Sequence, residues 1–290
     1  KMTKTLVIAE KPSVAQDIVR ALTPVAGKFE KHEDHFENDR YVVTSAVGHL
    51  VEIQAPEEFD VKRGKWSFAN LPVIPPRFDL QPIAKSEDRL KLLLRLAKRK
   101  DVDGLINACD AGREGELIFN YIVQYGKIDK PVQRLWLQSM TPQAIREAFA
   151  HLRSAEEMEG LRQAAVSRAE SDWLIGINGT RAMTAFNSRD GGFYLTTVGR
   201  VQTPTLAVVV EREEKIRRFV QDTLPQAKRA AAQLGVPPEF LVAQAALESG
   251  WGEAVITRPD GRSSHNLFNI KAGSSWGGPT VTLPVTEYDG

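Results

Sequence analysis

The sequence predicts an α/β protein with a mostly parallel sheet, and three observations lead to that prediction. Apolar runs of strand length recur in the first half of the chain, at 5–9, 41–47 and 105–109. Amphipathic helical patterns separate these runs. Strong turn signals, rich in Gly and Pro, lie at the boundaries. Strands that alternate with helices are typical of a doubly wound sheet.

The first elements follow from this alternation. Pro12 lies two residues beyond the turn's start at Glu10 and suits the first position of a following helix. The second strand ends at Gly48, and a Pro-rich stretch at 71–76 interrupts regular structure. The next helix begins near Ser86, with acidic residues in its first turn and basic residues in its last, as the helix dipole favours. After the strand 105–109 an acidic turn leads into a helix that Gly126 ends.

The second half of the chain has a helical character. We predict a short helix from Pro142, a long helix over about 154–186, an extended segment at 193–198 and a further helix over 205–218. Beyond Phe219 the composition shifts to an Ala-rich helix and another helix that ends near Gly250. The Gly- and Ser-rich residues 257–279 predict an ordered loop and hairpin.

The bulk composition excludes several classes of protein. The 290 residues are 42% hydrophobic, which is enough for a core, and the net charge of +1 does not suggest a globally basic nucleic-acid binder. A single cysteine excludes an internal disulfide framework and suits a reducing compartment. No apolar run reaches the ~18 residues of a membrane span, and no signal peptide is evident. We therefore expect a cytoplasmic protein.

Acidic side chains follow two of the predicted strands. Glu10 and Lys11 follow the first strand, and the cluster from Asp110 to Glu116 follows a later one. Because parallel strands end at the same edge of a sheet, these groups are expected to converge there, where carboxylates can bind Mg²⁺ and leave positions for phosphate oxygens. Two alternatives remain open: the cluster is an ordinary charged turn, and Glu10 is a carboxylate stabilised by a helix N-terminus.

The motifs in this region resemble the type IA DNA topoisomerases, especially bacterial topoisomerase III, whose first domain has the Rossmann-like Toprim fold. The resemblance covers residues 2 to about 218 and implies a Toprim domain at 1–150 and a helical DNA-binding segment at 151–218. Five segments carry it, besides the opening residues 6–13: 48–50, 108–118, 135–141, 172–182 and 198–206.

The resemblance implies a role for each matching residue. Glu10 corresponds to a general acid/base at the scissile phosphate and Lys11 to a phosphate-stabilising neighbour. Mg²⁺ would bind Asp110 and Glu114, together with Glu10. Five further residues fall on motifs that line the family's groove for single-stranded DNA: His49, Arg113, Arg181, Arg200 and Gln202.

The sequence departs from the family pattern at two points. Gly112 stands where the family usually has a second Asp, so the metal would rest on fewer carboxylates. The family's nucleophile is a tyrosine in a Tyr-x-Arg-Thr type segment, and the five tyrosines of this chain lack that context. We therefore expect this chain to bind Mg²⁺ and single-stranded DNA without relaxing supercoiled DNA.

A second candidate site lies near the end of the chain. Glu248 ends an apolar helix and precedes Gly250 and Trp251. Desolvation and the helix dipole would both disfavour the charged carboxylate, as a glycosidase general acid requires. The alternative is an ordinary carboxylate at a helix end. Residues 219–290 resemble the flagellar rod-associated muramidase and glucosaminidase family of peptidoglycan hydrolases, which implies a partial lysozyme-like α+β domain with Glu248 as acid and Glu287 as second carboxylate.

Three functions therefore remain open. The first is a type IA topoisomerase that acts on single-stranded DNA with Mg²⁺. The second is hydrolysis of peptidoglycan by the last segment, which in its own family acts in the periplasm. The third is a non-catalytic module that binds single-stranded DNA or Mg²⁺. Because the two resemblances belong to different compartments and meet near Phe219 without a linker, we hypothesise a fusion of two segments.

Overall fold

The computed structural model describes residues 3–58 and 66–283. The chain divides into two compact units, residues 1–200 and residues 201–290, and each is described by itself. The first unit contains a central sheet covered by helices, and the second is helical where it is described.

The described part of the first unit contains one sheet of seven strands and one of two. Its strands are β1 (Lys4–Ala9), β2 (Glu30–Lys31), β3 (Phe36–Glu37), β4 (Tyr41–Ser45), β5 (Val51–Ile53), β6 (Leu80–Pro82), β7 (Val102–Ala108), β8 (Val132–Arg134) and β9 (Arg153–Ser154). The larger sheet has the order β2-β3-β4-β1-β7-β8-β9, and β5 pairs with β6. The four central strands β4, β1, β7 and β8 are parallel, whereas β2, β3 and β9 pair in the antiparallel sense at the edges.

The helices begin and end near the predicted positions. They are α1 (Pro12–Ala26), α2 (Glu87–Ala97), α3 (Arg113–Gly126), α4 (Pro142–Ala150), α5 (Ala155–Asn187), α6 (Gln202–Leu234) and α7 (Pro238–Ser249). Sequence signals explain several of these limits. At the start of α5, the Ser154 hydroxyl accepts a hydrogen bond from the Glu157 amide, and the Glu157 carboxylate accepts one from the Ser154 amide. This pair of hydrogen bonds is a capping box. At the start of α4, the Thr141 hydroxyl accepts a hydrogen bond from the Ala144 amide.

The core lies on both faces of the large sheet. Leu6 and Ile8 of β1 point to one face and pack in a cluster that includes α2 and α3, while Val7 and Ala9 pack in a second cluster that includes α1 and Ile145 of α4. Alternate residues of a strand point to opposite faces, so a strand covered on both sides is apolar throughout. The predicted mostly parallel α/β fold is therefore confirmed.

The second unit is built around two helices. The second half of α6 packs against α7 and buries small residues, among them Ala227, Ala231 and Ala245. Phe219 makes an edge-on contact with Trp251, with 5.9 Å between the ring centroids. Gly250 ends α7 in the left-handed conformation that glycine adopts readily. In the predicted hairpin region, the pairing described is a single antiparallel bridge between Thr257 and Ser263.

Two observations differ from the sequence prediction. The sequence predicted β1, β4 and β7 but not the short strands β2, β3, β5, β6, β8 and β9, because two or three residues are too few to show an apolar alternation. The helix predicted over 205–218 and the Ala-rich helix after Phe219 form one continuous helix, α6, with Pro225 inside it. The predicted domain limits at 150 and 218 stay predictions. None of the helices described here has the length and apolar character needed to cross a bilayer.

Candidate active site at the carboxyl edge of the sheet

Three parallel strands bring the predicted residues of the first site to one edge of the sheet. Ala9 at the end of β1 pairs with Ser45 of β4 on one side and Ala108 of β7 on the other. Glu10 and Lys11 therefore follow the central strand of the three. The loop with His49 follows β4, and Asp110 follows β7. The expectation that the two acid-bearing strand ends share an edge is confirmed.

Lys11 connects the two acidic segments. Its Nζ atom donates a hydrogen bond to Asp110 Oδ2 at 3.1 Å and lies 4.0 Å from Glu10 Oε1. The Asp110 carboxylate beside it, with Glu10 adding to the effect, raises the pKa of Lys11 above its usual value. Lys11 therefore stays protonated at neutral pH, and its ammonium group supplies the positive charge between the two carboxylates.

Glu10 has one oxygen atom without a partner. Its side chain is 16% exposed. The Oε2 atom is buried and accepts no hydrogen bond from the described part of the chain. A buried carboxylate oxygen is normally paired, since leaving it unpaired is costly. This oxygen is therefore available for a cation or a proton donor that a bound ligand would bring.

Asp110 and Glu114 are more open than Glu10. Their side chains are 53% and 64% exposed. Glu114 Oε2 lies 3.4 Å from His49 Nε2, so His49 and the first turn of α3 are adjacent. Arg113 begins α3 and is exposed to solvent. Carboxylates on two elements, together with Lys, His and Arg side chains, suit a divalent cation and a phosphate group.

The residues present fit Mg²⁺ by donor type but are not gathered around a single point. Oxygen ligands from carboxylates are those that Mg²⁺ prefers, and Glu10 Oε2 is free to coordinate. Within the ranges 3–58 and 66–283, however, Glu10, Asp110 and Glu114 are not a group whose ligand atoms all lie within 4.8 Å of one another. The Lys11 ammonium lies between two of them instead.

The remaining predicted DNA contacts lie later in the chain: Arg181 on α5, Arg200 in the turn before α6 and Gln202 on α6. Arg181 is largely buried, with 11% of its side chain exposed, and pairs with Glu57. Its guanidinium also stacks over Trp66. Arg200 pairs with Asp172. Gln202 is the first residue of α6, belongs to the second unit and is exposed. To contact a phosphate, Arg181 and Arg200 would have to exchange their present carboxylate partners.

The sequence analysis missed a buried polar network directly below the acidic turn. Arg134 lies at the end of β8 and donates hydrogen bonds to the carbonyl oxygens of Cys109 and Asp110, both at 2.7 Å. Its charge is balanced by Glu116 of α3, whose carboxylate also accepts from Asn107 at 3.2 Å. The available signal was Asn107, a polar residue inside the apolar run 105–109.

Comparison with known proteins assigns the first part of the chain. Residues 5–140 match the model of the Toprim domain, and residues 156–226 match the model described as DNA topoisomerase. DNA topoisomerase 3 of Bacillus cereus is 43% identical over 223 residues, which are 77% of this chain. Residues 5–140 and 156–226 are therefore similar to parts of the DNA topoisomerases. The predicted resemblance is thereby confirmed for this part.

The topoisomerase part is shorter than its relatives. The chain spans 29% of the length of the Bacillus cereus protein. Among solved structures, full-length topoisomerase I of Thermotoga maritima is similar with a TM-score of 0.50 and 22% identity, over 74% of this chain and 31% of that one. At this identity the similarity shows the fold alone, which agrees with the Toprim architecture.

The last segment has different relatives. Residues 224–289 match the model described as mannosyl-glycoprotein endo-beta-N-acetylglucosaminidase, as the predicted resemblance requires. A peptidoglycan hydrolase mutant of Sphingomonas sp. A1 is 58% identical over 25% of this chain and 46% of its own, with a TM-score of 0.24. The two matched regions meet at 224–226, which lies inside α6.

The structure describes one of the two predicted hydrolase carboxylates. Glu248 lies in the last turn of α7 and is exposed, so the expected desolvation of this carboxylate is wrong. The apolar residues of α7 divide between two sides of the helix: Ala245 and Ala246 are buried, whereas Leu247 is 83% exposed. Glu248 therefore shares the exposed side. Glu287 lies outside the described residues, and the catalytic roles of both remain predictions.

Proposed function

We propose that the topoisomerase part forms the Mg²⁺- and phosphate-binding portion of a type IA topoisomerase site that cleaves and rejoins single-stranded DNA. The observation that carries this proposal is the Glu10 carboxylate, whose buried Oε2 atom has no partner and which shares a sheet edge with Lys11 and Asp110. Cleavage of a phosphodiester bond uses this combination: a group that transfers a proton, a positively charged side chain and carboxylates that bind a metal ion.

The side chains have complementary tasks in this proposal. Glu10 exchanges a proton at the scissile phosphate, because its buried oxygen is not already occupied. Lys11 contacts a phosphate oxygen through its ammonium group. Asp110 and Glu114, with Glu10, hold Mg²⁺, which supplies charge neutralisation at the phosphate when it is bound. His49 and Arg113 are close enough to this edge to bind the adjoining DNA backbone.

The nucleophile of the family has no counterpart among the tyrosines of these 290 residues. Tyr121 is buried in α3, and burial raises its pKa to about 12, which opposes the phenolate form. Tyr125 lies one turn later on the same helix. We therefore infer that this chain binds single-stranded DNA and Mg²⁺ but does not relax DNA by itself. An enzyme of this kind would work in the cytoplasm, where the chromosome is.

Two assays test the proposal on the whole chain. The affinity for a fluorescent single-stranded oligonucleotide should fall as the salt concentration rises. A plot of the logarithm of the association constant against the logarithm of the salt concentration should have a slope of about −0.7 for each phosphate contact. Calorimetry should show Mg²⁺ binding that Asp110→Asn and Glu114→Gln each reduce, while Glu156→Gln on α5 leaves it unchanged. Salt-dependent binding of DNA without any Mg²⁺ binding would favour the non-catalytic module instead. Relaxation of a supercoiled plasmid would contradict the inference about the nucleophile.

A second candidate function rests on the last segment. The match at 224–289 favours hydrolysis of peptidoglycan, with Glu248 at the end of α7 as the acid. Release of soluble muropeptides from purified cell wall tests this function. Glu248→Gln should abolish the release, whereas Glu239→Gln at the other end of the helix should not. Equal activity of the two variants would exclude Glu248 as the acid.

A further inference from the structure

The hairpin formed by β2 and β3 carries a second group of possible metal ligands. His32, His35 and Glu37 each offer one ligand atom, and these atoms all lie within 4.8 Å of one another. Within the described ranges this is the one such group of three or more His, Cys, Asp or Glu residues. The His32 amide donates to the His35 carbonyl at 2.9 Å, so the hairpin backbone itself holds the two histidines together.

His35 is held between two carboxylates. Its Nδ1 atom lies 2.6 Å from Asp34 Oδ1, and its Nε2 atom lies 3.1 Å from Glu37 Oε2. The side chain is 12% exposed. With the Nδ1 proton donated to Asp34, Nε2 is the nitrogen left for a metal ion, which would replace the 3.1 Å contact between Nε2 and Glu37. A histidine that donates its other N–H to a carboxylate is the usual arrangement of a metal-binding imidazole.

His32 covers the same site from the solvent side. Its ring stacks on the His35 ring, with 4.5 Å between centroids and an angle of 12° between planes. Its Nε2 atom lies 3.9 Å from Glu30 Oε2, and 38% of its side chain is exposed. This exposed ring can turn about its side-chain bonds without disturbing the core, so it can add a second nitrogen ligand.

The neighbouring cations set limits on the ion that can bind. Glu37 also pairs with Lys4 and with both terminal nitrogens of Arg99, and Arg95 pairs with Asp34. These groups hold the carboxylates in place, but they oppose a hard cation that relies on charge alone. Two imidazole nitrogens instead favour a metal of intermediate softness. The sole cysteine, Cys109, is buried and offers no competing thiolate at the surface.

We propose that the β2–β3 hairpin binds one divalent transition-metal ion, of the Zn²⁺, Ni²⁺ or Cu²⁺ class, through His32 Nε2 or Nδ1, His35 Nε2 and a Glu37 oxygen, with Asp34 orienting His35. Water molecules would complete the coordination. The ion would connect His32, which follows β2, to His35 and Glu37 on the other side of the hairpin. It would thereby stabilise a hairpin whose two strands have two residues each. The site is independent of the function proposed for the Toprim edge.

The test is a titration of the whole chain, free of any histidine tag, with Ni²⁺ or Zn²⁺ in a calorimeter. We expect one equivalent to bind with higher affinity than any later one, and a large excess of Mg²⁺ not to displace it. His32→Gln and His35→Gln should each weaken this binding at least tenfold, and Asp34→Asn should also weaken it, within the roughly ten- to hundredfold range of outer carboxylates.

Matched controls separate the hairpin from other histidines. His151→Gln and His265→Gln remove exposed histidines elsewhere and should leave the first equivalent unchanged. His32→Gln is the decisive variant, because the His32 side chain is more exposed than that of His35, and the thermal unfolding of this variant should match that of the parent chain. The proposal is overturned if the parent chain binds no first equivalent, or if the control variants weaken binding as much as His32→Gln does.

Discussion

Arg134 and Glu116 form a buried ion pair beneath the acidic turn. Arg134 Nε lies 2.6 Å from Glu116 Oε1, and the two side chains are 2% and 5% exposed. The guanidinium also donates to four carbonyl oxygens, those of Asn107, Cys109, Asp110 and Leu135. Cys109 and Asp110 lie beyond the end of β7, where carbonyl groups have no strand partner, so this one side chain satisfies them and fixes where Asp110 begins its turn.

Loss of the Glu116 charge should destabilise the first unit strongly. Glu116→Gln leaves the Arg134 guanidinium buried without its counterion, and breaking a buried pair in this way costs about 3–5 kcal/mol. Urea unfolding followed by circular dichroism measures the change. Glu159→Gln is the matched control, because it removes a solvent-exposed ion pair with Arg162 and should leave the midpoint unchanged. Equal midpoints for the two variants would show that the buried pair does not stabilise the fold.

Gly112→Asp should increase Mg²⁺ affinity without loss of stability. Gly112 has a φ of 167°, an extended conformation open to any residue, and a Cβ atom there would meet no atom within 4 Å. The substitution adds a third carboxylate to the turn, where the family usually has one. Calorimetric titration with Mg²⁺ should show at least a severalfold gain in affinity. Unchanged affinity in a folded variant would mean that residue 112 does not face the metal.

The neighbouring glycine provides the steric control for that experiment. A Cβ atom at Gly115 would overlap the carbonyl oxygen of Asp110. Gly115→Ala should therefore displace the acidic turn and lower the unfolding midpoint, although alanine is the better helix former. If Gly115→Ala is as stable as the parent chain, the turn is more adaptable than the structure indicates.

The fold was predictable from the sequence to a large extent, because local patterns determined it. The apolar runs predicted the long strands β1, β4 and β7, and Pro12 and Gly126 marked the start of α1 and the end of α3, whereas the short edge strands carry no such pattern. The edge shared by Glu10 and Asp110 followed from the rule that parallel strands end together. The Arg134 network could not be predicted, since it joins residues from β7, β8 and α3 through tertiary packing. The exposure of Glu248 was missed for a similar reason: an apolar helix does not itself reveal which side is covered.

Cys109 should be inert toward thiol reagents in the folded protein. It is 2% exposed at the end of β7, and burial raises the pKa of its thiol far above the usual value. Because the thiolate is the reactive form, alkylation should proceed only through unfolded molecules and be about a thousandfold or more slower than in urea. Iodoacetamide labelling followed by mass spectrometry gives the rate of alkylation.

A chain with Cys109→Ser and Ser13→Cys carries an exposed thiol instead and should react within the native state. Fast labelling of the parent chain would show that the end of β7 opens locally.

Glu37 should make the first unit sensitive to acid. Hydrogen bonds from Arg99, with Lys4 and His35 contributing, hold the pKa of Glu37 far below the usual value of 4.5. A carboxyl group whose pKa is lower in the folded state stabilises the protein at pH values above its unfolded pKa, and this contribution is lost as the pH falls below that value. At pH 7, Glu37→Gln should therefore be less stable than the parent chain by roughly 1.5–3 kcal/mol, in the range of hydrogen bonds to charged groups. Urea unfolding at pH values from 7 down to 3 should show this difference shrinking below about pH 4.5, because the unfolded parent chain then takes up a proton that the variant does not.

Asp103→Asn removes an exposed carboxylate of β7 and should follow the parent chain across the series. A difference between Glu37→Gln and the parent that stays constant with pH would mean that the carboxylate contributes through shape rather than charge.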